Sequence, residues 1–74
     1  MPKLVRMDQT GHSTLAEWTA GEDAEFEAAV EAFRRELDAG YIGVVPDGPG
    51  HATQVTELPA SADLVVMRRP IAGG

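Results

Sequence analysis

Apolar and polar residues alternate along the first part of the chain, which is the pattern of a β-strand with one buried face. Residues 3–8 alternate in this way, and residues 13–18 do so again after a short polar turn. Gly11 lies in that turn and can supply the positive φ that a bulged hairpin requires. The two segments therefore predict an antiparallel β-hairpin. Trp18, at the end of the second segment, is interpreted as a core residue, with a partner-binding anchor as the alternative.

The hydrophobic period then changes from two residues to about 3.6, which indicates an amphipathic helix. The apolar residues on its predicted buried face are Phe26, Ala29, Val30, Phe33 and Leu37. Thr19 is the predicted N-cap, with Glu22 as its capping-box partner, and Gly40 is the predicted stop. The pattern predicts a helix over residues 21–39, with its aromatic residues in the core rather than around a ligand.

Three further strands are predicted after the helix. Residues 41–45 are nearly continuous in apolar character, as buried strands are, and residues 53–58 alternate. Residues 46–50 contain two prolines and two glycines, so we expect a loop there. Residues 64–68 carry the apolar run expected of a central strand, and we expect this strand beside the first one.

The predicted order of elements is strand, strand, helix, strand, strand, strand. One helix with one apolar stripe requires one sheet face to cover it, so we expect an α+β fold in which a mixed sheet packs on a single helix. The 74 residues correspond to one small domain, predicted over residues 1–68, followed by a flexible tail over residues 69–74. A domain of this size has a thin core and no room for a closed catalytic pocket as well. We therefore expect a carrier, modifier or binding module and not an enzyme.

Charge and composition narrow the function further. Twelve acidic and six basic residues give a net charge of −6, which argues against nucleic-acid binding because phosphate contacts require clustered Lys and Arg. Cysteine is absent, so disulfides, thiolate nucleophiles and Cys-based zinc sites are excluded. The sequence has no apolar run long enough for a membrane span, and residues 1–7 lack the apolar region of a signal peptide. The cytoplasm is the expected location.

The candidate chemistry lies at the C-terminus. His12 and His51 have no acidic or serine partner at motif spacing, so we expect neither catalysis nor a metal site there. The sequence ends in Gly73 and Gly74, and a backbone without side chains can approach another protein's active site closely. The residues expected to bind that partner are Arg68, Arg69, Pro70, Ile71 and Ala72. The alternatives are a permissive, frayed terminus, an expression remnant and, for the arginines, solvated charges at a strand end.

Three stretches of the chain resemble known proteins. Residues 7–17 resemble the Thr-Gly hairpin that opens ubiquitin, and the predicted helix follows at the matching place. Residues 63–74 resemble the final strand and tail of the prokaryotic sulfur carriers of the thiamine and molybdopterin pathways, which often read Asp, apolar strand, Ala-Gly-Gly. The chain therefore resembles the ubiquitin-like β-grasp superfamily, including bacterial ubiquitin-like modifiers, over nearly its whole length. It departs from the pattern at residues 46–50, where carriers commonly have an Asn-Gly turn, at Ala62, where many have glycine, and at Pro70, which the ubiquitin tail lacks.

The resemblance implies a reaction that a partner performs on this protein. An activating enzyme would adenylate the Gly74 carboxylate with ATP, and the protein itself would bind no cofactor. The activated carboxylate would then be joined to a target protein, or would become a thiocarboxylate that serves a sulfur-accepting enzyme in cofactor or thio-metabolite biosynthesis. A third hypothesis, of a different class, is a β-grasp binding or structural subunit whose Gly-Gly end has no chemistry. The sequence leaves these three hypotheses open.

Overall fold

Within residues 1–69, which the computed structural model describes, a mixed sheet of five strands forms one layer and one helix forms the other. The elements are β1 (Lys3–Asp8), β2 (Gly11–Glu17), α1 (Asp23–Asp38), β3 (Ile42–Gly48), β4 (His51–Val55) and β5 (Leu64–Arg68). The predicted α+β fold is confirmed, and the arrangement is β-grasp-like. The predictions for Pro70 to Gly74 lie outside the described residues.

β5 is the central strand of the sheet. The strand order is β2-β1-β5-β3-β4, with β5 parallel to β1 and antiparallel to β3. Leu4 lies opposite Val65, and Arg6 lies opposite Met67, so these four residues share one face of the sheet. Leu4, Val65 and Met67 are fully buried there. The predicted central position of the last strand, beside the first, is confirmed.

The helix covers this face of the sheet with its apolar stripe. Ala29 and Phe33 are buried, and the remaining stripe residues are half-buried. Trp18 is 1% exposed; its ring packs edge-on against Phe26 at a centroid distance of 5.7 Å, and its Nε1 donates a hydrogen bond to the Ala60 carbonyl at 3.4 Å. The core interpretation of Trp18 and of the helical stripe is therefore confirmed.

The predicted start of the helix is wrong by two residues, and the predicted cap is wrong. The helix begins at Asp23, with Glu22 at the N-cap position and no side-chain capping bond there. Thr19 instead belongs to a preceding turn, because its carbonyl accepts a hydrogen bond from the Glu22 N–H at 2.9 Å. The Glu25 carboxylate reaches back to the Thr19 N–H at 2.7 Å. A bond of the capping type does form, but its acceptor is Glu25 and not the predicted Glu22. This bond joins the turn at Thr19 to the first turn of the helix.

The expected loop over residues 46–50 is wrong in part, because β3 continues through Pro46 to Gly48. Pro46 pairs with Ala52 across a register shift. β5 pairs with β3 only over residues 42–44, so at Pro46 the other side of β3 is an open edge, where a residue without an N–H is tolerated. The connection shrinks to a tight turn, and β4 covers residues 51–55 rather than 53–58.

Gly43 lies where β3 passes close to the helix. A Cβ at this position would stand 2.6 Å from Phe33 Cε1 and 3.4 Å from Met67 Sδ, and Gly43 is not among the glycines with positive φ, so the restriction is steric. Gly43→Ala should lower the free energy of unfolding by about 1–3 kcal/mol, the usual cost of overpacking a core, as measured by urea denaturation. In a Phe33→Leu background, which lacks the clashing ring, the same substitution should cost less. Equal costs in both backgrounds would contradict this packing.

Candidate functional site at the base of the tail

The described part of the predicted site consists of Arg68 and Arg69. Arg68 is the last residue of β5, and Arg69 follows it directly. The other predicted site residues are Pro70, Ile71, Ala72, Gly73 and Gly74, and they lie outside the described residues. The surface around the two arginines, which we call the tail base, is therefore the described part of the molecule that adjoins the tail in the sequence.

The two arginines lie on opposite faces of the sheet. Successive residues of a strand point to opposite faces, and Met67 is buried against the helix. Arg68 is therefore on the outer face, where it is exposed and lies opposite Ile42 of β3. Arg69 returns to the helix side, where its guanidinium carbon lies 5.0 Å from the centroid of the Tyr41 ring. The sequence treats the arginines as one pair, but the fold gives them different surroundings.

Arg69 belongs to a group of four residues, which we call the tail-base cluster: Arg6, Glu36, Tyr41 and Arg69. The guanidinium carbon of Arg6 lies 5.7 Å from the Tyr41 centroid. Nη1 of Arg6 donates hydrogen bonds to both carboxylate oxygens of Glu36, at 3.3 and 3.4 Å. Glu36 is only 8% exposed, so the pair closes the core at this end of the helix.

Sequence reasoning missed this cluster, although one signal for it was present. Glu36 follows Ala29 and Phe33 at helical spacing, so it continues the buried face of α1. Arg6 shares the core face of β1 with Leu4 by the period-two rule. A carboxylate and a guanidinium that both face the core are expected to meet, because buried charges are usually paired.

An open groove of about 620 Å³ lies between the β1–β2 turn and the end of β5. Its lining residues are Met7, Asp8, Gln9, Thr10, Arg68 and Arg69. The turn is held by Asp8 Oδ1, which accepts hydrogen bonds from the Thr10 hydroxyl at 2.6 Å and the Thr10 N–H at 2.8 Å. The groove carries the two guanidinium groups and one carboxylate, that of Asp8. Guanidinium groups bind carboxylates in paired hydrogen bonds, so the arginine side of the groove suits an acidic group of another protein.

Asp8 titrates below its ordinary range. The Thr10 hydroxyl, then the Thr10 N–H, and also the charge of Arg6 lower the pKa of Asp8 below its ordinary value of 3.8. Because the folded-state pKa is the lower one, the contribution of Asp8 to stability is present above its unfolded-state pKa and is lost as the pH falls through the folded value. We expect Thr10→Val to raise the Asp8 pKa, as followed by NMR of the carboxyl carbon. An unchanged pKa in Thr10→Val would contradict the hydroxyl as its main cause.

The outer face of the sheet carries apolar residues next to Arg68. Val5, Val66 and Val44 are neighbours across β1, β5 and β3. Val5 and Val66 are largely buried by their neighbours, whereas Met7 is 46% exposed. The outer face is therefore apolar at its centre and positively charged where β5 ends.

The remaining candidate residues are the two histidines, and one of them is beside the groove, because His12 pairs with Met7. His12 lies on β2 and His51 on β4, the two opposite edges of the sheet, and both are exposed. Among residues 1–69, no three His, Cys, Asp or Glu side chains are grouped so that they could hold a metal ion. No helix in the same range has the length and apolar character needed to cross a membrane. The tail base is thus the place where the predicted site residues and an open groove coincide.

Comparisons of the chain with protein-family models, with curated proteins and with solved structures find no match. The β-grasp-like arrangement consequently describes the fold and not the family. One fold carries many unrelated functions, so the function has to be argued from the residues at the tail base and from the sequence that follows them.

Proposed function

We propose that this protein is a ubiquitin-like modifier, whose Gly74 carboxylate is adenylated by a partner enzyme and then joined to a target protein. The observation that carries the proposal is the position of β5. This strand is central in the sheet and ends at Arg68, so the residues that precede the tail are held by a neighbouring strand on each side. The six residues that follow Arg68 end in Ala-Gly-Gly, a segment slim enough to enter a narrow active site.

The proposed reaction needs no catalytic group of this chain. An oxygen of the Gly74 carboxylate attacks the α-phosphate of ATP, and pyrophosphate leaves. The resulting acyl-adenylate has AMP as a good leaving group, which the free carboxylate lacks. A cysteine thiolate of the partner displaces AMP and forms a thioester. An amine of the target then displaces the thiolate and loses a proton as the amide forms. In this proposal the protein is the substrate and not the enzyme, and ATP belongs to the partner.

The charge distribution supports docking at the tail base. The whole chain carries a net charge of −6, yet Arg68 and Arg69 line the groove where the tail begins. The two ion pairs found within residues 1–69 both use Arg6. A local positive patch on an acidic protein orients it toward an acidic surface of its partner. We propose that the activating enzyme has such a surface and that the reaction takes place in the cytoplasm, with no nucleic acid or membrane involved.

The alternative is a sulfur carrier, and residues 63–74 favour it. In that case the same acyl-adenylate is attacked by a sulfur nucleophile, AMP leaves, and a Gly74 thiocarboxylate serves a sulfur-accepting enzyme. The strand and tail resemble those of sulfur carriers, as described above, and the tail base suits either reaction. If neither reaction occurs, the remaining interpretation is a β-grasp binding or structural subunit.

Pyrophosphate exchange tests the proposal. The chain alone should catalyse no exchange of labelled pyrophosphate into ATP, and exchange should appear when an adenylating enzyme encoded near its gene is added. Arg68→Gln should raise the KM for the chain several-fold and weaken its dependence on salt, because a rim charge acts mainly on association. Arg34→Gln is the matched control, since Arg34 is an equally exposed arginine on the helix. Equal KM values for these two variants would contradict docking at the tail base.

A further inference from the structure

We propose that Tyr41 is a positioning residue, whose ring holds Arg69 and thereby fixes the direction in which the chain leaves the domain. The inference rests on the proposed function in one respect, because the direction of the tail matters only if a partner enzyme binds it. The contact itself is a property of the free protein. It can therefore be tested separately from activation.

The Tyr41 ring has a fixed support. The Tyr41 N–H donates a hydrogen bond to the Glu36 carbonyl at 3.0 Å, so this residue is tied to the end of α1. Gly40, with a φ of +96°, makes the sharp turn that lets the chain fold back onto the helix. Ile42 then begins β3. The Tyr41 backbone is therefore held between the end of α1 and the start of β3, and its half-buried ring is a platform for the side chain that follows β5.

Two guanidinium groups share this platform, at 5.0 Å for Arg69 and 5.7 Å for Arg6. Aromatic faces attract cations within about 6 Å of the centroid, but two cations on one ring repel each other. Glu36 offsets that repulsion, because its carboxylate binds Arg6 at 3.3 Å in a largely buried position. The Glu36 charge therefore lets Arg69 remain on the ring, and the tail-base cluster works as a unit.

Arg68 provides the contrast that defines the role of Arg69. It lies on the outer face, opposite Ile42, and is exposed to a partner. Arg69 is exposed as well, but its guanidinium lies against the Tyr41 ring. Five residues, 70–74, follow Arg69, and they reach at most about 18 Å when fully extended. Fixing the direction of so short a segment at its first residue restricts the volume that Gly74 can explore and raises its effective concentration at a docked active site.

The contact is tested first on the protein alone, by NMR. In the wild type, the Arg69 side-chain protons should be shifted upfield by the ring, and the backbone of Arg69 should be more ordered than in Tyr41→Leu. Tyr41→Phe keeps the ring and should keep both signatures, whereas Arg68→Gln should leave the Arg69 signals unchanged. Glu36→Gln should weaken the Arg69 shifts, because Arg6 then repels Arg69. Arg69 signals that are identical in the wild type and Tyr41→Leu would overturn the proposal.

A second substitution keeps the proposal testable if the Tyr41→Leu variant does not fold. Arg69→Leu changes an exposed residue that follows β5, so it should keep the fold and lower the melting temperature by only a few degrees, the size of one cation–π contact. The readout then moves to the other partner of the contact: the ring-proton shifts of Tyr41 should change in Arg69→Leu and stay constant in Arg68→Leu. Identical Tyr41 shifts in all three proteins would also overturn the proposal.

The positioning role is tested by pyrophosphate exchange with the adenylating enzyme. Tyr41→Leu should lower kcat/KM by roughly two- to fivefold, the size of one exposed cation–π contact, and Tyr41→Phe should restore it. An unchanged or higher kcat/KM in Tyr41→Leu, together with loss of the Arg69 shifts, overturns the positioning role. If the wild type itself supports no exchange, the proposed function fails and the positioning role fails with it, although the NMR contact stands.

Discussion

Phe33→Ala should lower the free energy of unfolding by about 3–5 kcal/mol, the usual cost of removing a fully buried aromatic ring. Phe33 is 1% exposed, lies against Gly43 and belongs to the same core cluster as Met67, so removal of its ring leaves a cavity. Domains of this kind are stable by only about 5–15 kcal/mol, so the substitution removes a large part of the total. Urea denaturation followed by the fluorescence of Trp18, the single tryptophan, measures the loss.

Phe26→Ala is the matched control, because it removes the same ring from the same helix at a half-buried position. It should cost clearly less than Phe33→Ala, since part of its ring is already in water, although its edge-on contact with Trp18 is lost. If Phe33→Ala melts within about a degree or two of the parent, Phe33 does not anchor the core and the described packing is wrong.

Deletion of Gly73 and Gly74 should abolish activation and leave the melting temperature unchanged. The carboxylate of the shortened chain would belong to Ala72, about 7 Å short of the original position in an extended chain. Within residues 1–69 the last strand ends at Arg68, so the deletion removes no residue of the described sheet or core. Pyrophosphate exchange and thermal unfolding of the same preparations give the two readouts.

A variant of unchanged length separates the effect of tail length from the effect of side chains at the last two positions. Replacing both glycines by alanine keeps the length of the tail but adds two Cβ atoms and restricts φ. The proposal expects strongly reduced exchange in this variant as well. If the deletion variant keeps full biological activity, both the modifier and the sulfur carrier are excluded, and the binding subunit remains.

Much of the fold was predictable because the spacing of apolar residues in the sequence matches the period of a strand or of a helix. The bounds of β1 and β5 follow directly from alternation and from the apolar run, and the helix follows from its stripe. The loop predicted at Pro46 was wrong because proline is usually a loop residue. Only the sheet order shows that β3 is unpaired on one side at Pro46, where a proline is tolerated. Thr19 was misjudged because a capping pattern can be satisfied by a turn before the helix as well as by the helix itself.

Only those residues of the candidate site that are adjacent in the sequence were predictable. Arg68 and Arg69 stand out in the sequence because they precede the tail, but their separation onto two faces depends on the pleat and on where β5 ends. Tyr41 lies far from Arg69 in the sequence and is brought to it because β3, which begins directly after Tyr41, pairs antiparallel with β5. Contacts of this kind are set by register, which hydrophobic patterns alone do not specify across strands.

The most direct test of the central claim is mass spectrometry of the protein and its adducts from cells that produce it naturally. The proposal predicts that the chain ends at Gly74 and that part of it is linked through Gly74 to lysines of other proteins. Trypsin cuts after Arg68 but not at the Arg69–Pro70 bond, so each modified lysine should carry the remnant Arg-Pro-Ile-Ala-Gly-Gly. Exchange of one Gly74 oxygen for sulfur would instead establish the sulfur carrier. A chain that carries only an unmodified carboxylate, or that continues beyond Gly74 without processing, would contradict the account.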